Sequence, residues 1–289
     1  MKYRVLLIAL SLSITASAQE PDWDAVQIRT TGLGNGIYML EGLGGNIGLS
    51  VGEDGVFMID DQFAPLTQKI LTAVAEVTDK PIDFVINTHW HFDHVGGNEQ
   101  IAAAGATVVS HDNARIRMAA EGPQQVPAGG LPVITYSDTT TFHYNGHEIH
   151  AFHPVPAHTD GDSVIHFRDI DIIHAGDVFW NGLYPFIDID SGGSVAGVIT
   201  TLRKVADMAG PDTQIIPGHG PLGNRTDVGK AADMIEDTLD RVADLVADGK
   251  NLDEIKAADL FSDYNATWGV GFINPEQWTE TMYNATTAR

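Results

Sequence analysis

Short apolar runs rich in β-branched residues recur along the chain, and each breaks off in a turn of Gly, Pro, Asp or His. Gly36-Ile37-Tyr38-Met39-Leu40, Ile82 to Thr88, Val108-Val109, Ser163 to Phe167, Ile170 to His174 and Thr213 to Ile216 all have this form. They read as buried strands. Glu53-Asp54-Gly55 marks a hairpin between strands of the first half. Longer stretches change period: Val195 to Met208 reads as a helix, and Thr226 to Val246 places Val228, Ala231, Ile235, Leu239, Val242 and Leu245 at helical spacing. That second stripe predicts a helix packed on the outside of the sheets. After residue 94, Val95-Gly96-Gly97 reads as a tight turn, Asn98 as a helix cap and Gly105 as the stop of a short helix. The pattern thus repeats strands, ligand-rich turns and a helix in two halves, which predicts an α/β protein with no linker between them.

The 289 residues are 43% hydrophobic, enough for the core of one large domain. The formal charge of −23 disfavours nucleic acid and anionic membrane as partners. With no cysteine there is no disulfide framework and no thiol chemistry. Lys2 and Arg4 precede the apolar stretch Val5 to Ile14, and Ala16-Ser17-Ala18 supplies a cleavage site, so residues 1–18 read as a secretory signal. The expected mature chain, 19–289, is periplasmic or secreted and has no stable membrane association.

The chemistry concentrates in His89-Trp90-His91-Phe92-Asp93-His94, at the carboxyl end of a predicted strand. Three imidazoles and a carboxylate suit zinc or iron. On a strand-like segment His89 and His91 project to one side, so they would share an ion; Asp93 continues that alternation and His94 points elsewhere. One loop could therefore serve two neighbouring ions, the arrangement of two-metal hydrolysis. Matching donors follow at other predicted strand ends: His158 in Ala157-His158-Thr159-Asp160-Gly161-Asp162, Asp177 in Ala175-Gly176-Asp177, and His219 in Pro217-Gly218-His219-Gly220-Pro221.

With these motifs, from about Gly32 to Gly220, the chain resembles the metallo-β-lactamase superfamily. The resemblance implies a four-layer αββα sandwich with the metals in a cleft at its edge. It also implies two Zn2+: His89, His91 and His158 on the first, Asp93, His94 and His219 on the second, and Asp177 bridging. Asp93 and Asp177 become the candidate catalytic carboxylates, with attack by a zinc-bound hydroxide on a small-molecule substrate. One departure bears on that substrate. The superfamily's classical zinc β-lactamases carry cysteine where Asp177 stands and lysine where Trp180 stands, whereas a bridging Asp is the pattern of hydroxyacylglutathione hydrolases, lactonases and many other hydrolases of the superfamily.

Export argues against a glutathione thioester, as does a tail from Asp253 to Arg289 whose basic residues are Lys256 and Arg289 alone. The reading preferred is opening of β-lactam-type cyclic amides; an ester, lactone or thioester hydrolase with the same site is the alternative, and an iron oxidoreductase of the same fold the third. Gly42 to Asn46, Trp90 and the run Phe179 to Phe186 are candidate walls of the cleft, and Arg115, Arg117 or Arg225 candidates to meet a carboxylate. His143, His147, His150, His153, His111 and His166 read as structural or surface residues. Asp160 and Asp162 read as turn stabilisers, His174 as a ligand's support or core, and Thr88 as a donor to a ligand carboxylate.

Overall fold

The computed structural model describes residues 21–287. The signal assigned to residues 1–18 and the terminal Arg289 lie outside that range. A first, seven-stranded sheet runs in chain order: β1 (Arg29–Gly34), β2 (Ile37–Glu41), β3 (Ile47–Val51), β4 (Val56–Ile59), β5 (Ile82–Ile86), β6 (Thr107–His111) and β7 (Ile134–Tyr136). β1 to β4 are antiparallel neighbours, the last pair joined by the predicted hairpin. β4 to β7 are parallel, as their helical crossovers require. Those crossovers carry α1 (Thr67–Val77), α2 (Phe92–Val95), α3 (Asn98–Ala103) and α4 (Asp112–Ala119).

The second sheet holds β8 (Thr139–Tyr144), β9 (His147–Phe152), β10 (Val164–Phe167), β11 (Ile172–Trp180), β12 (Gln214–His219) and β13 (Gly223–Asn224), again in sequence order across the sheet. Only β11 and β12 are parallel, linked by α5 (Val195–Met208). Four helices complete the chain: α6 (Arg225–Ala247), α7 (Leu252–Lys256), α8 (Ser262–Trp268) and α9 (Pro275–Thr287).

Strand β4 shows why the layers stack. Every one of its residues is buried, and alternate side chains face opposite ways. Phe57 and Ile59 meet Ile149, Ile165, Phe167 and Ile216 of the second sheet, whereas Val56 and Met58 meet Leu66, Ile70 and Val74 beneath α1. On the far side, α5, α6 and α9 cover the second sheet through Val198, Leu202, Val205, Ile235, Val242 and Met282. The result is the expected αββα sandwich.

Helix α5 has the bounds its spacing predicts, and α6 runs one residue past each predicted end. Three details differ from expectation. The metal motif is not wholly extended, because Phe92 to Val95 form one helical turn. Asn98 is not the cap of α3; Gly97 precedes it, and the Asn98 amide exchanges hydrogen bonds with Asn87 in the interior. Strands β11 and β12 do not stop before the ligand turns but run on through Asp177 and His219. Gly176 makes this possible in β11. Its φ of +52° shifts the register, and an added Cβ would stand 2.7 Å from the Thr88 side chain.

Candidate metal centre

The ends of β4 and β5 are fastened together before the motif begins. The Thr88 amide and hydroxyl each donate to the Asp60 carboxylate at 2.7 Å. His91 then caps α2 in extended backbone (φ −69°, ψ 146°), and the helical turn that follows carries Asp93 and His94 to the other side of the motif. His89 and His91 therefore stay together, while Asp93 leaves the strand alternation and falls beside His94, 3.7 Å away.

The second sheet brings the partners. His158 leads a turn whose backbone is held by Asp162, which accepts from the Thr159 amide and hydroxyl. Its Nδ1 donates to the Phe186 carbonyl at 2.8 Å, so Nε2 faces His91 Nδ1 at 2.9 Å. His89 Nε2 is 3.1 Å from the same His91 nitrogen. Donors on a tetrahedral zinc with bonds of ~2.0–2.1 Å would stand about 3.3 Å apart. Side-chain donors of His89, His91, His158 and Asp177 all lie within 4.8 Å of one another, and so do those of Asp93, His94 and His219.

Asp177 stands between the two groups. One oxygen is 3.9 Å from His89 Nε2, 3.5 Å from His158 Nε2 and 3.4 Å from His219 Nε2; the other is 2.9 Å from His94 Nε2. That second oxygen is buried and makes no well-formed hydrogen bond despite the short separation.

The electrostatics suit a cation. Burial, followed by the neighbouring His94, holds His89 well below the usual imidazole range, and burial takes His158 down to about 4, so both stay neutral, the form that ligates metal. Burial would also lower His94 and His219, but Asp177 and Asp93 outweigh it; His94 is raised and His219 is pushed up to about 9. Burial opposes ionisation of Asp177, and the surrounding histidines, His94 first, nonetheless hold it ionised. Among the described residues no lysine or arginine pairs with Asp93 or Asp177. The donor set thus fits one or two divalent ions that accept nitrogen and oxygen together.

The family profile of the metallo-beta-lactamase superfamily matches residues 40–219. This chain belongs to that superfamily. Among its relatives, the metallo-beta-lactamase type 2 of Bacillus cereus is 22% identical over 59% of this chain and 65% of its own length. A hydroxyacylglutathione hydrolase of Polaromonas sp. strain JS666 is 30% identical over 55% and 57%. The chain therefore spans less than two thirds of the length of either. Two solved structures share the fold: a metallo-beta-lactamase from Pontibacter korlensis (TM-score 0.63, 19% identity, 73% of this chain and 99% of that one), and the FIM-1 metallo-beta-lactamase of Pseudomonas aeruginosa in its mono-zinc form (TM-score 0.61, 22%, 73% and 96%).

Around this superfamily site stand supporting residues, of which Asp60 and Asp188 carry no local signal in the sequence. Asp60, fully buried at φ +61°, accepts from Thr88 and lies 2.7 Å from His94 Nδ1. Thr88 therefore serves Asp60, not a ligand carboxylate as expected. Asp188 lies 3.0 Å from His91 Nε2. Asn46 donates to the Pro217 and Gly220 carbonyls at 2.9 Å, tying the β2–β3 turn to the segment that carries His219. In that turn Gly45 lies against His94, where any Cβ would overlap the ring. His174 supports the same turn by donating to the Asn46 carbonyl at 3.0 Å.

The aromatic run divides. Phe179 and Tyr184 are core, Trp180 lies tilted against His219 with centroids 4.2 Å apart and planes at 42°, and Phe186 stands 5.8 Å from His91 and 5.9 Å from His158. Trp90 lies against His91 at 4.9 Å. Arg117 is engaged by Asp160 in a bidentate pair. The histidines of the 143–153 series do not converge on one point: His147 meets Asp169, His150 meets Thr141, and His153 stacks on His111.

Proposed function

We propose that this protein is an exported two-zinc hydrolase that opens β-lactam-type cyclic amides. The observation that carries the two-metal part is the position of Asp177 between the two donor groups. His89, His91 and His158 would hold one zinc, Asp93, His94 and His219 the other, and Asp177 both. Bound there, zinc supplies a water that is nucleophilic at neutral pH and a Lewis acid for the carbonyl oxygen.

The chain's own groups do the rest. Asp93, with its side chain 24% exposed, is the carboxylate that reaches the open side of the site, where it orients the attacking water and takes its proton. Asp177, nearly buried, keeps the centre ionised. Phe186 and Trp90 flank His91, and there they exclude water from one side of the scissile bond.

Amide opening is preferred to glutathione thioester hydrolysis on two grounds. The amino terminus reads as an export signal, and Lys256, the lysine of the tail, is held by Glu276 and Glu280 rather than offered to an anionic substrate. Esters and lactones remain the second reading, favoured by Asp177 and Trp180 standing where the superfamily's classical zinc lactamases carry cysteine and lysine. Turnover of a chromogenic cephalosporin by the zinc-loaded mature chain, abolished by a chelator, is the expected result. No turnover with two zincs confirmed bound would overturn the lactam assignment and leave lactones and esters.

A further inference from the structure

The family match ends at residue 219, yet the chain beyond it returns to the metal site. Between α8 and α9, Val270 and Phe272 are 71% and 74% exposed. One exposed apolar side chain is unremarkable in itself. These two, however, stand on a turn pinned from every side. The Trp268 carbonyl accepts from the Tyr184 amide at 2.7 Å, and the Tyr184 hydroxyl donates to Asn265 at 3.0 Å. Gly271 sits so close to Leu183 that an added Cβ would be 2.9 Å from its Cδ2. Ile273 is buried, and Asn274 and Gln277 cap the next helix reciprocally at 3.0 Å.

The ring held out by this turn is one aromatic step from the candidate ligands. Phe272 meets Phe186 edge to face, with centroids 6.2 Å apart and planes at 88°. Phe186 in turn contacts the His91 and His158 rings, and its carbonyl fixes His158.

We propose that Phe272, with Val270 beside it and Phe186 behind it, is a specificity wall that binds an apolar, preferably aromatic, substituent of the substrate on the His91 and His158 side. This deepens the hydrolase reading and rests on its metal-held substrate. A pre-ordered aromatic ring gains contact area without paying the entropy of ordering a loop.

The test uses thiols, which bind zinc whatever bond the enzyme cleaves. Thioglycolate and its α-benzyl derivative would be titrated by calorimetry into the zinc-loaded wild type, Phe272→Ser and Val133→Ser, the last altering an exposed apolar residue before β7. We expect the benzyl compound's advantage over thioglycolate to shrink ~5–10-fold in Phe272→Ser, by loss of apolar burial, and to persist in Val133→Ser. An unchanged ratio in Phe272→Ser overturns the wall, as does a wild type that binds neither thiol. A reduced ratio in a protein that hydrolyses no cephalosporin would keep the wall and discard only the lactam assignment.

Discussion

His91 Nε2 lies 3.0 Å from an Asp188 carboxylate oxygen, and this contact turns the other ring nitrogen, Nδ1, toward His89 and His158. Asp188 is itself fixed by the Ser191 amide. Burial resists its ionisation, but the bonds to His91 and Ser191 bring it down to about 2, so it is a carboxylate at any working pH. A carboxylate behind a ligating imidazole sets its tautomer and raises its basicity. Asp188→Ala is therefore expected to weaken metal affinity by ~10–100-fold. Competition with a chromogenic chelator reads this directly, and an unchanged affinity would show that packing alone orients His91.

Asp60 plays the matching part for His94, from a fully buried position. Asp60→Asn keeps the shape but removes the charge and one of the acceptors used by Thr88 and His94. The expected result is selective loss of the ion held by Asp93, His94 and His219, so that metal analysis after dialysis against limiting zinc gives one ion per chain where the wild type gives two. Retention of two would sink the assignment.

Asp177 supplies the sharper test of two ions sharing a ligand. Asp177→Ala removes the one carboxylate that, among the described residues, lies within reach of both groups, and it leaves His94 and His219 without their largest source of positive-charge stabilisation. Loss of the second metal and of most activity is expected. A variant that still held two zincs would refute the bridging role.

How far these parts could be read from sequence depended on how locally they are written. The motif, the strands that end in ligands and helices α5 and α6 were legible because side-chain period and turn residues act over a few positions. Asp188 was not, since nothing near it marks it and its partner His91 is 97 residues away. Asp60 and His94 are 34 apart, and Asn46 reaches Gly220 across 174. The helical turn at Phe92 was missed for a different reason: a four-residue helix has no periodicity to detect. Its effect was to place Asp93 with His94.

The stacked imidazoles of His111 and His153 predict a pH effect on stability away from the metals. Their centroids are 3.9 Å apart with planes 14° from parallel. Burial first, then His153, holds His111 below the usual imidazole range against the opposing pull of its hydrogen bond to the Ser137 carbonyl and of Asp112 and Asp160. As pH falls through about 6.5 the unfolded chain takes up this proton and the folded one resists, so stability is present above that pH and declines below it. In His153→Gln the repulsion is gone, His111 protonates more readily, and the decline in urea midpoint from pH ~7 to ~5 should be shallower. Ligand protonation affects both proteins and cancels in the comparison. An equal decline in both would remove the pair from the pH response.

Trp278 predicts coupling between the tail and the site. It is fully buried, stacks on Tyr184 with centroids 5.1 Å apart, and donates its indole N–H to Thr238 at 3.2 Å. Trp278→Ala should cost ~3–5 kcal/mol in unfolding free energy, as large aromatic deletions in a core do. Trp278→Phe keeps the stacking ring and gives up the hydrogen bond, so its cost should be about 1–2 kcal/mol. The informative readout is substrate selection. Tyr184 joins the tail to the segment bearing Phe186, so loosening it should reduce preference for apolar substrates in Trp278→Ala and largely restore it in Trp278→Phe. If both variants kept wild-type preference at temperatures where they are folded, α9 would serve stability alone and the Phe272 turn would owe its position to Leu183 and the Tyr184 backbone.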